Sequence, residues 1–414
     1  MECYNQDKVK KQNLLREENL MLNTLYGDGI NDDTLAIQEM IDNANGELIL
    51  PNPKAFYLIS APLELPSNFR LVVPRFCEIK LKANSDCVML KNKTVEDKKK
   101  RQTLHPAWGF LDEYSPDAPC ENIEVTGGIW NFNNKEQHPN PMYVPSDKDS
   151  TYSGFAMLFY NVKNLRISSL TIKDPVTFAV MLDTVTYFTV DNITFDFNYG
   201  NPLATNMDGI HIDGNCHYGD IRNLKGACYD DLVALNADEG MGGEISNITI
   251  DGLYAEDCHS AVRLLSANYP VKNVHISNVY GTYFQYCIGV TRFYPTDDKG
   301  QFDGITLENI YASKAYRYPV YAKPEKSYVY PLIYIEDKLH IKNLKISNLV
   351  RREYITPIDT IHIKGETEID QLVLENISVE NHTDAESIPL FVNNGNVKYL
   401  KASGLYNDNE EVIL

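Results

Sequence analysis

The chain has 414 residues, 43% of them hydrophobic, with 57 acidic against 38 basic side chains and a net charge of −19. Apolar residues are too many and too evenly spread for a disordered chain, and no run approaches the roughly 18 apolar residues of a membrane-spanning helix. The acidic balance argues against nucleic acid as a partner, because neutralising phosphates takes a basic surface.

Residues 1–25 form a polar extension that lacks the apolar core of an export signal, which points to the cytoplasm. Secretion is the alternative if a leader has been removed. Eight cysteines (Cys3, Cys77, Cys87, Cys120, Cys216, Cys228, Cys258, Cys287) contain no CxxC pair and read as buried free thiols. Residues 32–45, DDTLAIQEMIDNAN, predict an amphipathic helix with Asp33 or Thr34 as N-cap and Ala36, Ile37, Met40, Ile41 and Ala44 on one face. Short strands broken by Pro51, Pro53, Pro62 and Pro66 follow, then polar insertions at 92–119 and 133–153. The run KTVEDKKKR in the first insertion reads as a solvated loop.

From about residue 120 a short unit recurs: ENIEVTGGIW, KNLRISSLTI, TYFTVDNITF, GDIRNLKGAC, SNITIDGLYA, KNVHISNVYG, DGITLENIYA, KNLKISNLVR, DQLVLENISV and VKYLKASGLY. Its first apolar anchors are Ile123, Leu165, Phe188, Ile221, Ile248, Val274, Ile305, Leu344, Leu372 and Leu400, separated by 42, 23, 33, 27, 26, 31, 39, 28 and 28 residues. Each unit holds two or three short β-rich runs with period-two alternation and Asn, Asp or Gly turns, and none has the length of a helix. Stacked units of this kind predict an all-β parallel β-helix of three-sided coils, one solenoid over residues 26–414 with the predicted helix as its amino-terminal lid. Asn122, Asn164, Asn247, Asn273 and Asn343 recur at turns, where Asn tolerates left-handed backbone and its amides can bond coil to coil. The same reading covers the sequons at Asn192, Asn247, Asn376 and Asn381, taken as turn residues rather than glycan acceptors.

The segment YGDGINDDTLAIQEMID resembles the opening motif of pectate-lyase-like right-handed parallel β-helix proteins, a motif that speaks to fold and not to chemistry. Farther on, Asn206-Met207-Asp208-Gly209, Tyr229-Asp230-Asp231, Cys258-His259-Ser260 and Thr291-Arg292-Phe293-Tyr294 resemble, in order, the NTDG, GDD, GHG and RIK signatures of glycoside hydrolase family 28, the polygalacturonases. Asp208, Asp230, His259 and Arg292 are 22, 29 and 33 residues apart, about one coil each, so they are expected to stack in one stripe along a groove. Glycoside hydrolysis needs one protonated carboxyl and one ionised carboxylate, and crowding three aspartates raises at least one proton affinity. Adjacent Asp230 and Asp231 can both serve only at a bulge or turn, since an ideal strand would send them to opposite faces.

The resemblance implies that Asp230 is the general acid, that Asp208 and Asp231 activate the attacking water, and that His259 tunes the acid, with inversion at the anomeric carbon. Asn206, Arg263, Arg292 and Tyr294 are the candidate substrate contacts. The chain departs from the family where Tyr294 replaces the RIK lysine and where His211 stands in a position often acidic; Arg263 is a candidate substitute for the missing cation. Trp108, Tyr143, Tyr152, Phe293 and Tyr294 are candidate sugar-stacking aromatics, and Trp130 reads as core. The expected partner is a pectin-like or related polysaccharide or oligosaccharide, with no metal or other cofactor, no membrane, and a monomeric state. Two other functions fit the same fold. One is a calcium-dependent lyase using Asp208, Asp213, Asp230 and Asp231 as ligands; the other is a phage-tail-type glycan-binding β-helix.

Overall fold

A computed structural model describes residues 24–93, 119–140, 152–198, 206–294, 298–315 and 330–414. Most of the polar extension, the lysine run, Cys3, Trp108 and Tyr143 lie outside the described residues. Within them the strands form two sheets, one of 18 strands and one of 11. The smaller sheet takes one short strand from each coil in chain order, among them Val180–Asp183, Ile210–Asp213, Asp231–Asn236, Ser260–Leu265, Ile288–Thr291 and Ile333–Ile335. Each pairs in parallel with the next. The larger sheet receives the rest of each coil. Early coils supply two short strands, such as Val162–Ser168 and Thr171–Lys173, and later coils one long strand, such as Gly300–Lys314. The architecture is an all-β parallel β-helix.

Aliphatic side chains stack in columns inside the coils. Ile210, Val233, Val262, Ile288, Ile333 and Ile361 share one column, and all are fully buried. Burying each such side chain contributes about 1.5–3 kcal/mol. The repeat anchors form a second column, Ile123–Leu165–Phe188, resuming at Ile248 and running through Val274, Ile305, Leu344 and Leu372 to Leu400. The expected anchor Ile221 is displaced by two residues: it pairs with Val190 and Ile250, while Gly219 stands between Phe188 and Ile248. Residues two apart share a face, so alternation alone does not distinguish the two registers. A Cβ on Gly219 would come 2.8 Å from Phe188 Cε1 and closer still to Cε2 and Cζ, so the Phe188 ring fills the space that an apolar anchor would take.

Asn122 and Asn164 adopt left-handed backbone with φ of 56° and 65°, and their amides form a ladder: Asn164 donates to Asn122 and Asn122 to Asn68, at 2.8 and 2.6 Å. Asn273 likewise donates to Asn247 at 3.1 Å, and Asn376 to Asn348 at 3.2 Å. Asn343 differs: it is absent from the left-handed set and donates to Asp303 at 2.9 Å.

The lid is the helix Thr34–Asn43, which buries Ala36, Ile37 and Ile41 and packs Met40 and Ala44 partly against the first coil. Asp33 occupies the N-cap position but its carboxylate does not cap the helix; it accepts the amides of Tyr26, Gly27 and Leu58. Asp32 instead accepts from Thr34 N at 3.0 Å. Gln38 covers the open sheet edge with its side-chain amide, donating to Glu64 O at 3.1 Å and accepting from Glu64 N at 2.8 Å.

Candidate active site

The site is built on an irregularity repeated at the start of the small-sheet strands. Ala261 N and Val262 N both donate to Cys287 O, at 3.0 and 3.1 Å, and Cys287 N and Ile288 N both donate to Leu332 O. At this bulge two consecutive residues, Ala261 and Val262, join the core, and on the preceding coil consecutive Leu232 and Val233 do the same. The residues just before them gather at one corner of the solenoid. Gly209 N donates to Asp231 O and Ser260 N to Asp230 O, which stacks the Asp208, Asp230–Asp231 and His259 segments on three successive coils. Adjacent Asp230 and Asp231 thus both reach the corner. Asp231 is fully buried, whereas the Asp230 side chain keeps 21% of its exposure.

Outward-facing positions of the small sheet form a column running Met181, His211, Ala234, Arg263, Gly289, Tyr334. Ala234, fully buried, separates His211 from Arg263 in this column. His211 Nδ1 lies 2.5 Å from Asp208 Oδ2, and its Nε2 lies 3.0 Å from both Asp213 Oδ1 and Glu239 Oε2. The other Glu239 oxygen accepts from the Tyr294 hydroxyl. Asp208 Oδ1 accepts from Asp231 N at 3.1 Å. Arg263 Nε is 2.9 Å from Asp231 Oδ2, and its guanidinium lies over the Phe293 ring at 5.9 Å. His259 Nδ1 is 3.5 Å from Asp230 Oδ1 and 3.1 Å from Ser260 Oγ.

Burial sets the electrostatics. Asp230 is pushed up to about 7 by burial and by the charge of Asp208, and Asp231 up to about 7 by burial, with Arg263 opposing both shifts. Burial raises Asp208 as well, against the His211 hydrogen bond and charge. Burial alone would also raise Glu239, but His211, Arg263 and Tyr294 bring it down to about 2. His259 falls to about 3 because it is buried and faces the charges of Arg263 and Lys314. His211 moves the other way: burial disfavours its charge, yet hydrogen bonds to Asp208, Asp213 and Glu239 raise it well above the ordinary imidazole range. At neutral pH the corner therefore holds a charged His211, a neutral His259 and, in Asp230, a carboxyl poised to keep a proton.

Asp208, Asp230, Asp231, His259 and Arg263 meet at this corner. Asn206, buried in left-handed backbone, hydrogen-bonds the Asp230 carboxylate. Tyr294 joins the cluster through Glu239 and is itself buried, as are Trp130 and Tyr152. Arg292 turns elsewhere: its Nε donates to Asp298 O at 2.8 Å, while Glu336 accepts its backbone amide. Phe293 is 61% exposed with φ of 53°, an unusual conformation for a bulky residue. Glu239 contacts His211 and Tyr294, and Glu336 lines the cavity beside Arg263; no sequence motif marks either. Glu239 sits in NADEGMGG, which reads as a glycine turn, and its signal is that this turn follows the strand that starts at Asp231.

A small cavity of about 100 Å³ opens beside Arg263, lined also by Gln285, Tyr286, Phe293, Tyr334 and Glu336. A larger one, about 620 Å³, lies on the outer face of the large sheet around Tyr254, Tyr280 and Tyr311, away from the aspartates. Two groups bring oxygen and nitrogen atoms within 4.8 Å of one another as a cation would need: His211 with Asp213 and Glu239, and Asp230 with Asp231 and His259. In the first, the imidazole Nε2 already lies 3.0 Å from both carboxylates; in the second, Arg263 Nε lies 2.9 Å from Asp231 Oδ2.

A parallel β-helix carrying three crowded aspartates, with a histidine and an arginine on the neighbouring coil, has the makings of a glycoside hydrolase. The chain matches the family described as Glycosyl hydrolases family 28 over residues 122–398 and belongs to it. It is thus a glycoside hydrolase. No curated protein matches it in sequence. Among solved structures it is similar to the Yersinia enterocolitica family 28 exopolygalacturonase, with 14% identity over 91% of this chain and 76% of that one and a TM-score of 0.49. It is similar to the endo-xylogalacturonan hydrolase from Aspergillus tubingensis, with 15% identity over 92% and 95% of the two chains and a TM-score of 0.47. A tailspike protein variant of E. coli bacteriophage HK620 gives 14% identity over 91% and 64%, with a TM-score of 0.62, a likeness of fold.

Proposed function

We propose that the chain is an inverting hydrolase of a pectin-like polysaccharide or related oligosaccharide. The observation that carries this reading is the unequal placement of three aspartates at one corner. Asp230 keeps an exposed edge, while Asp208 and Asp231 are buried behind it. In the proposed reaction Asp230, protonated, gives its proton to the departing glycosidic oxygen as that bond breaks. Water adds to the anomeric carbon from the opposite side and loses its proton to the Asp208–Asp231 pair. Asp231 is fully buried and faces Arg263 Nε at 2.9 Å, a counter-charge that favours its ionised form. His259, neutral and 3.5 Å from Asp230, serves as its hydrogen-bonding neighbour.

Family membership supports a glycan substrate, and the resemblance to polygalacturonase motifs supports a pectic one. The test is a panel of pectic and other polysaccharides, with the anomeric configuration of the first product followed by ¹H NMR. Inverted product from a pectic glycan is expected; retained configuration, or an unsaturated product that disappears with chelator, overturns the reading.

A further inference from the structure

His211 is enclosed rather than offered to the groove. It is 1% exposed, stacked on Phe178 at 3.8 Å and 6°, and Phe178 stacks in turn on Phe155 at 4.8 Å. Each ring nitrogen meets carboxylate oxygen: Asp208 at Nδ1, and Asp213 and Glu239 at Nε2. A neutral imidazole carries one N–H, so one nitrogen would turn a lone pair onto an anion. An imidazolium donates from both sides and satisfies the whole arrangement. Glu239 is fixed from its far side by the Tyr294 hydroxyl, at the position where the family motif has lysine. A continuous chain, Tyr294–Glu239–His211–Asp208, therefore runs from the segment after the strand Ile288–Thr291 to the aspartate corner.

The groups facing His211 are mostly acidic. Asp213 on its own strand and Asp208 just before that strand flank it, and Glu239 faces it from the next coil. Asp183, on the preceding coil, lies with Asp213 against Gly240, where a Cβ would strike an oxygen of each and φ is 61°. The opposing charge is Arg263, two coils on, which is paired to Asp231. We propose that His211 and Glu239 are positioning residues: a permanently protonated His211, braced by Glu239, biases Asp208 toward its ionised form against the pull of burial and leaves the catalytic proton to Asp230. This rests on the roles given to Asp208 and Asp230 above, and it names a device those roles do not contain.

The direct test reads the proton. In protein carrying ¹⁵N in its histidine side chains, the His211 signals, assigned by their loss in His211→Asn, are expected at imidazolium positions for both nitrogens and constant from pH 5 to 8. A His211 that titrates within that range overturns the proposal. In Glu239→Gln the same signals are expected to titrate below pH 9, and in Glu239→Asp, which keeps the charge, to remain fixed. Kinetics supply the second readout. His211→Asn removes the charge but can still donate to Asp208, so the acidic limb of kcat/KM is expected to move up by about one pH unit, with KM within about twofold. A lower kcat with the limb unmoved would make His211 structural only and would also overturn the proposal. If no glycan is turned over, the assigned reaction fails, while the NMR titration still decides the state of His211.

Discussion

Arg263 Nε lies 2.9 Å from Asp231 Oδ2, with the carboxylate fully buried and the arginine side chain 15% exposed. The guanidinium thus faces a carboxylate of the site through Nε. Arg263→Ala leaves Asp231 buried without its counter-charge, which costs about 3–5 kcal/mol of stability if the carboxylate stays ionised. The protein escapes most of that cost by protonating Asp231. The expected result is a fold that survives and a kcat lowered by about a hundredfold or more, with partial recovery in Arg263→Lys. Kinetics alongside thermal unfolding check this: a change confined to KM would mean that Arg263 serves the substrate instead.

Two of the aspartates, Asp230 and Asp208, should respond differently from their surroundings. Asp230→Asn and Asp208→Asn remove proton transfer while conserving shape, so kcat is expected to fall by about 10²–10⁴ with KM changed only a few-fold. Turnover measured under saturating glycan decides it. Either variant retaining wild-type kcat would remove that residue from the reaction.

The raised proton affinities carry a sign for stability as well as for rate. Asp230 and Asp231 hold their protons up to about 7 in the fold, against an ordinary value of 3.8. Between those limits the folded chain binds more protons than the unfolded one, so stability falls as pH rises through the window. Asp230→Asn removes part of this dependence. It should unfold at a higher temperature than the wild type at pH 8, with little or no advantage at pH 4. Activity follows the same group in the opposite sense, since a protonated Asp230 is available below about 7 and lost above it. Paired thermal scans at the two pH values are the measurement, and an equal difference at both would contradict the raised affinity of Asp230.

The parts of the site that lie one coil apart are legible in the amino-acid sequence. Asp208, Asp230 and His259 fall on consecutive coils, and stacking turns sequence period into spatial register. The Asp230–Asp231 pair also announces its own irregularity, because two adjacent carboxylates cannot both face one side of a regular strand. Glu239 stays hidden. Its partners His211 and Tyr294 are 28 and 55 residues away, and no local pattern marks a turn residue that points back along the groove. Arg292 is legible only in part: the motif marks the residue, but not that its Nε donates to the Asp298 carbonyl.

The displaced anchor gives a stability test of the same idea. Phe188 fills the space that Gly219 leaves empty, so the two positions are coupled across one coil step. Gly219→Ala alone forces its methyl into a packed ring and should destabilise by about 1–3 kcal/mol. Phe188→Leu alone leaves unfilled volume beside a residue with no side chain, and it should destabilise also. Together the two changes approach the aliphatic stacking seen at Val274, Ile305 and Leu344 farther along the column. The double variant is therefore expected to lose less than the sum of the single losses, by about 0.5–3 kcal/mol in a double-mutant cycle. Denaturant unfolding of the four proteins measures the coupling. Strict additivity would mean that the ring and the glycine are neighbours without being substitutes, and the register shift would then need another cause than the space between them.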